Sequence, residues 1–273
     1  MDEDEYYRRV QTAYDRIAPV YDDSVGKSAV SRRAKQLALQ TVKSLTPSGG
    51  RLLDIGCYTG IEVMVLAQQG FRVVGVDISP GMIRLAETKA RKQRLLGQVN
   101  FEVLRASDVS ALLQRGYDPF DTAYSVYGTL NLEPRISEFK AGAYAVLKSR
   151  GHLVCGLLNP TVLYELLLAP LLLKFHGYRK LAKLAVPTRV GLGEDTVKTF
   201  LYTPEEFSTL MAPEFCLKEV RGLHVLYPPP RGGRGSNLWW IPRALDPLEL
   251  RIESKFPFSH LGFFTLLTFA KAG

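Results

Sequence analysis

The segment Leu52-Leu53-Asp54-Ile55-Gly56-Cys57-Tyr58-Thr59-Gly60 constrains this chain more than any other. An apolar run stops at one glycine, a second glycine follows, and helical spacing begins with Ile61, Val65 and Leu66. A carboxylate, Asp77, ends the next apolar run. A strand that enters a helix through a glycine turn and is followed by another strand is the start of a βαβ unit. The pattern continues. The sequence predicts strands over 51–55, 71–76, 99–105, 120–126 and 152–158, with helices over 61–69, 80–96, 109–114 and 136–147. Pro80 and Gly97 punctuate the ends of the second helix. Further strands are expected over 214–221 and 263–270. The expected fold class is therefore α/β, a doubly wound, mostly parallel seven-stranded sheet.

Around this core the texture differs. Residues 1–50 read as a helical arm, broken at Pro19. The stretches 157–203 and 222–261 show no strand pattern and read as cap insertions in a domain spanning 51–273. The chain has 273 residues, 46% hydrophobic and 23% charged, which excludes a disordered or collagen-like protein. Three cysteines without Cys-x-x-Cys spacing suggest neither a disulfide framework nor a metal site. With no signal-peptide pattern at the start, a cytoplasmic location is expected. The greasiest stretch, 162–175, carries Glu165 and Pro170 and falls short of the roughly 20 residues of a spanning helix.

The glycine loop decides between two nucleotide chemistries. In a doubly wound sheet, ligands bind beyond the carboxyl ends of the strands. A dinucleotide pyrophosphate must approach bare backbone at the middle position of the loop, where this chain has Tyr58. A carboxylate at Asp54 would repel a pyrophosphate but suits an ammonium group. Asp77 is placed to accept hydrogen bonds from a ribose. The combination favours S-adenosylmethionine over a nicotinamide dinucleotide.

On these residues the chain resembles the class I, Rossmann-like S-adenosylmethionine-dependent methyltransferases. Within them it is similar to the small-molecule branch that contains the ubiquinone/menaquinone methyltransferases. Their Tyr-Asp-x-Ile-Ala-x-x-Tyr-Asp pattern is matched by Tyr14-Asp15-Arg16-Ile17-Ala18-Pro19-Val20-Tyr21-Asp22. Tyr58 departs from the glycine usual in the loop. The resemblance implies S-adenosylmethionine as cofactor and S-adenosylhomocysteine as product. It implies that Asp54 serves the methionine ammonium and that Gly56, Cys57, Tyr58 and Gly60 line the methionine moiety. Asp77 would hold the ribose, while Ile78 and Met82 pack on adenine. Ser107, Asp108 and Val109 would cup the adenine, Ser125 would lie near the sulfonium, and Tyr21 would cover the cofactor.

The acceptor is less constrained. The segment 125–131 lacks the Asp/Asn-Pro-Pro-Tyr/Phe pattern of amino methyltransferases that act on nucleic-acid bases. A small apolar, aromatic or amphipathic acceptor is therefore expected, and no nucleic acid. Tyr127 and Asn131, with Glu133, are placed to orient it. His176 and His260 are candidate bases, since a base is needed only for a hydroxyl or carbon-acid acceptor. The formal charge is +8, and five of the eight excess charges fall on the two caps among leucines and aromatics. That distribution suits an anionic or amphipathic substrate, or a peripheral membrane contact through 162–183; a homodimer is also open. The alternatives are an RNA methyltransferase and a non-catalytic S-adenosylmethionine-binding module.

Overall fold

The computed structural model describes residues 2–24, 29–168, 186–189, 196–226 and 241–273. Its strands are β1 (Arg51–Ile55), β2 (Arg72–Asp77), β3 (Val99–Val103), β4 (Phe120–Ser125), β5 (Leu147–Leu158), β6 (Val186–Arg189), β7 (Thr196–Thr199), β8 (Phe215–Leu223) and β9 (Phe264–Lys271). The helices are α1 (Glu3–Ile17), α2 (Tyr21–Ser24), α3 (Ala29–Leu45), α4 (Ile61–Ala67), α5 (Pro80–Lys92), α6 (Ala111–Gln114), α7 (Ile136–Val146), α8 (Leu163–Leu168), α9 (Pro204–Met211) and α10 (Ile241–Ile252).

Seven strands form one sheet in the order β3-β2-β1-β4-β5-β9-β8. The first five run parallel, and β9 pairs antiparallel with both β5 and β8. Strand alternation drives the layering. Leu53 and Ile55 of β1 face the cluster built with Val109, Phe139, Phe207 and Phe269. Leu52, one residue out of phase, faces α3, α4 and α5 through Val42, Val63 and Ile83. A parallel sheet buried on both faces needs such near-continuous apolar strands.

The strand order reverses between β1 and β4, which pair through Leu52↔Thr122 and Asp54↔Tyr124. Connections from the two strands leave in opposite directions there, opening a crevice at the carboxyl ends. The arm crosses it. α1 carries Tyr6, Tyr7, Val10, Ala13 and Ile17 on its buried side, packed against Tyr58 and Met82.

Both caps contain structure that the sequence pattern hides. The first holds the antiparallel hairpin β6-β7. Pro187 and the Thr/Lys-rich composition mask its alternation, but Val197 and Thr199 are buried, and the Tyr6 hydroxyl lies 2.8 Å from the Lys198 carbonyl. The second holds α10, disguised by Pro247 within it. Its Glu249 accepts the Val225 and Leu226 amides at 2.9 and 3.1 Å. His176 and most of the membrane contact expected over 162–183 lie outside the described residues. Among the described residues no helix is long and apolar enough to cross a membrane.

Candidate active site

The β1–α4 loop is shaped by three left-handed residues, Gly56 (φ 82°), Tyr58 (φ 49°) and Gly60 (φ 73°). Gly56 and Cys57 hook back on β2 by donating to the Val76 carbonyl at 2.8 and 3.0 Å. A Cβ on Gly56 would sit 2.3 Å from the Thr129 hydroxyl oxygen, so only glycine lets the β4 side approach. Tyr58 keeps the backbone conformation normally left to glycine. Its ring is held by others, stacked on Tyr21 at 4.9 Å between centroids and tilted against Tyr14 at 5.7 Å.

At the end of β2, Asp77 accepts the Tyr58 amide at 3.0 Å and the Ser79 amide at 2.8 Å, one on each oxygen. Burial pushes its carboxyl up to about 6, against the pull of those two amides. Each oxygen retains a lone pair, so the group can still accept from a ligand. The arm is clipped to the same corner. Asp15 accepts the Ser79 hydroxyl at 2.6 Å and the Gly81 amide at 2.7 Å, at the N-terminus of α5, where negative charge is favoured. Asp22 accepts the Thr59 hydroxyl at 2.5 Å and pairs with Lys89. The two aspartates of the Tyr-Asp pattern thus dock the arm onto the loop and onto α5.

Between arm and sheet lies a cleft of about 490 Å³ of empty space, counting the part open to solvent. Gly56, Tyr58, Asp77 and Ile78 form its floor, and Tyr7, Val10 and Tyr14 of α1 its roof. Thr129, Leu132 and Glu133, after β4, close the far side. Glu133 ties roof to floor. It accepts the Tyr7 hydroxyl, the Ser107 amide at 3.1 Å and the Arg135 amide at 2.9 Å. The Arg105 guanidinium covers the Tyr7 ring at 4.2 Å.

Beside the glycine loop, several polar atoms are buried and unmatched. Asp54 is 2% exposed, and its Oδ1 has no hydrogen-bond partner. The Tyr127 hydroxyl is likewise unpaired, and the Tyr124 hydroxyl faces the Asp54 carboxyl. Burial drives the Asp54 carboxyl well up, with the neighbouring Glu62 adding to it. Unsatisfied buried polar groups are costly in a native protein, and a cluster of them marks a place that a polar ligand completes. An S-adenosylmethionine fits this donor and acceptor set. Asp54 offers an acceptor for its ammonium, Asp77 offers acceptors for its ribose, and Ile78 offers an apolar surface for its base.

Other expected residues are placed elsewhere. Ser125 is fully buried and donates to the Ile55 carbonyl at 2.8 Å, tying β4 to β1 rather than facing the cleft. Met82 packs under the arm, and Val109 belongs to the central core. Cys57 is buried against Gly75, and a Cβ on Gly60 would meet Ala86 and Phe101, so both serve loop packing. Ser107 is buried beneath Glu133, whereas Asp108 lines a separate shallow depression with Arg135 and Glu138. Asn131 spends its amide on backbone, donating to Leu158 and Phe200 carbonyls and accepting the Leu158 amide at 2.8 Å. It is a brace whose two amide N–H groups are both committed to backbone. Tyr127 adopts φ 64°, and burial raises its hydroxyl far above the ordinary tyrosine range, so it stays protonated and can donate but not act as base. His260 pairs through Nε2 with Glu205 at 3.2 Å and lies 2.8 Å from the Ser259 hydroxyl. The roof residue Tyr7 carries no sequence signal, and although Tyr14 opens the Tyr-Asp pattern and Thr129 follows β4, only the tertiary fold brings the three to one cleft.

Comparison with known proteins agrees with this geometry. Residues 52–151 match a family model described as a methyltransferase domain. The erythromycin 3''-O-methyltransferase of Saccharopolyspora erythraea is 31% identical over 143 residues, covering 51% of this chain and 45% of that protein. The demethylmenaquinone methyltransferase of Bacteroides fragilis is 29% identical over 154 residues, covering 54% and 58%. The chain thus spans about half the length of the curated relatives it matches. Among solved structures, the [4+2]-cyclase SpnF superposes with a TM-score of 0.63 at 18% identity, covering 97% of this chain and 96% of that one. The Burkholderia thailandensis 1,6-didemethyltoxoflavin-N1-methyltransferase does so at 0.58 and 16%, covering 100% and 92%. At such identities the structural likeness speaks for the fold alone. With the glycine loop, Asp77 and the 3-2-1-4-5 sheet order in place, residues 52–151 are a methyltransferase domain of the class I, Rossmann-like, S-adenosylmethionine-dependent kind.

Proposed function

We propose that the protein transfers a methyl group from S-adenosylmethionine to a small apolar, aromatic or amphipathic acceptor. The observation that carries this reading is the unmatched Asp54 Oδ1, buried on β1 at the strand-order reversal beside the glycine loop. When bound, the cofactor supplies a methyl group on a cationic sulfur, a good electrophile for in-line displacement.

The chain's own part is alignment, which alone can account for a large share of such a rate. Asp54 and the loop backbone anchor one end of the cofactor, and Asp77 with Ile78 the other. The arm roof excludes water through Tyr7, Val10 and Tyr14. Tyr127 and Thr129, which follow β4, would orient the acceptor. A protonated Tyr127 donates a hydrogen bond there. The relatives named for erythromycin and demethylmenaquinone support a small-molecule acceptor of this kind.

The test is calorimetric titration with S-adenosylhomocysteine, followed by transfer from methyl-labelled cofactor into lipid, aqueous and RNA fractions of an extract. Binding that is lost in Asp54→Ala, with label in the lipid or aqueous fraction, is expected. Label confined to RNA, or binding untouched by Asp54→Ala, overturns the reading.

A further inference from the structure

The three carboxylates in residues 241–257 all face Arg33 or backbone amides. Glu249, fully buried, accepts the Val225 and Leu226 amides at 2.9 and 3.1 Å. Glu253 pairs with Arg33 of α3 at 2.7 Å, and Asp246 lies 4.0 Å from the same guanidinium. The Glu253 carbonyl also accepts the Gly222 amide at 2.7 Å. These contacts bind α10 to the last residues of β8. β8 runs in the same direction as β5, because both pair antiparallel with β9. Its exit therefore lies at the carboxyl end of the sheet, the end where the cleft opens. The turn after α10 is held at the same end. Asn159, just past β5, donates to the His260 and Gly262 carbonyls at 2.7 and 3.1 Å.

What this anchoring leaves outside is apolar and basic. Helical spacing puts Pro247, Leu250 and Arg251 in one row, and Leu248 and Arg251 in the next, with Lys255 one turn further; all are exposed. Leu248 is 47% exposed, Leu250 60% and Phe256 79%. The Phe256 ring has a defined place. It stands edge-on to the His260 ring at 5.5 Å, and His260 is itself paired with Glu205 at 3.2 Å.

A contiguous apolar patch with a polar rim marks a docking surface. The charges select the partner. Two cations stand among the apolar side chains, while the carboxylates of the same segment are engaged on the other side of the helix. That segregation is complementary to an anionic surface that takes up apolar side chains beneath its charged layer, which is the interface of an anionic bilayer.

We propose that the outward face of α10 and the Phe256 turn dock this protein on an anionic membrane surface. Leu248, Leu250 and Phe256 enter the headgroup layer, and Arg251 and Lys255 meet the lipid phosphates. This surface is distinct from the contact expected over 162–183, and it does not depend on what the cleft binds. It brings the carboxyl end of the sheet close to the bilayer, where an amphipathic acceptor would be held.

Vesicle flotation of the full chain, without cofactor, tests it. The wild type floats with vesicles of phosphatidylcholine and phosphatidylglycerol in equal parts, far less with phosphatidylcholine alone, and is released by salt. Arg251→Gln/Lys255→Gln lowers the partition coefficient on the mixed vesicles roughly 10- to 30-fold, about fivefold for each cation lost. Leu250→Ser/Phe256→Ser lowers it about tenfold. All four positions are exposed, so both variants keep the wild-type Tm. Arg91→Gln/Lys92→Gln, which removes the same charge from the exposed side of α5, leaves flotation unchanged. No flotation on the mixed vesicles, wild-type flotation in both patch variants, or an equal loss in the α5 variant overturns the proposal. So does a dimer in size-exclusion chromatography that Leu250→Ser/Phe256→Ser abolishes in the absence of any vesicle binding, since that assigns the patch to a second copy of the chain. Failure to bind S-adenosylhomocysteine overturns the cofactor reading and leaves this inference standing.

Discussion

Replacing Tyr58 by glycine sets two effects of known size against each other. A non-glycine residue at φ 49° costs about 1–2 kcal/mol, which the substitution recovers. Against this, the Tyr58 ring is 8% exposed, stacked on Tyr21 and in contact with Tyr14. Deleting a buried aromatic side chain costs about 3–5 kcal/mol, and an aromatic pair adds about 0.5–1.5 kcal/mol beyond its area. Packing wins, and Tyr58→Gly is destabilising by about 2–5 kcal/mol. For a domain of this size that lowers Tm by roughly 4–20 °C. Scanning calorimetry reads the shift, and hydrogen exchange locates it, with lost protection concentrated in α1 and α2. An unchanged or raised Tm would refute the reasoning, because it would mean that the stack does not offset the strain in its own loop. Tyr58→Phe, which keeps the ring and loses the hydroxyl's contacts with Thr129 at 3.3 Å and with Tyr14, costs about 1–2 kcal/mol.

Further outcomes follow from the same geometry. Asp77 has its folded pKa raised from 3.8 to about 6, so the proton is bound more tightly in the folded state; its stabilising contribution is present below pH 4 and fades as pH rises through about 6. Ribose hydroxyls prefer the ionised form, so affinity for S-adenosylhomocysteine rises between pH 5 and 7, and a flat profile would count against Asp77 as ribose acceptor. Gly56→Ala places a methyl group 2.3 Å from the Thr129 hydroxyl oxygen at φ 82°, and is expected to abolish measurable cofactor binding and lower Tm. Asn131→Ala removes three hydrogen bonds to backbone and costs about 2–4 kcal/mol in denaturant unfolding, while affinity for the cofactor in the folded protein is retained. Glu133→Gln weakens the tie between roof and floor, and faster exchange of α1 amides with little change in α5 is its expected signature.

The local part of this protein was legible because it depends on neighbours in the chain. Leu52 to Gly60 announces a strand, a left-handed turn and a helix through spacing alone, and Asp77 falls at a strand end for the same reason. Six of the seven strands of the main sheet were expected to within two residues at each end, and β5 is the exception. That strand starts at Leu147, earlier than the turn residues Lys148-Ser149-Arg150-Gly151 imply, because Leu147 pairs with Phe120 and a bulge absorbs the change of register. The arm pattern from Tyr14 to Asp22 was readable as a motif, but its purpose was not. That Asp15 grips the start of α5 and Asp22 grips Thr59 depends on two helices meeting, which no local period encodes.

Expected contacts failed where a strand-end residue turns away from the crevice. Ser125 and Asn131 are in the right places along the chain, yet the backbone of β1, β5 and the cap takes their hydrogen bonds. The roof of Tyr7 and Tyr14, the hairpin in the first cap, and the approach of Arg33 to Glu253 all join segments distant in sequence. The sequence by itself determined the sheet, the glycine loop and the two carboxylates, since periodicity and turn chemistry are local properties. Only the tertiary structure decided which polar atoms are left unpaired beside that loop, because satisfaction of a buried group depends on every element packed around it.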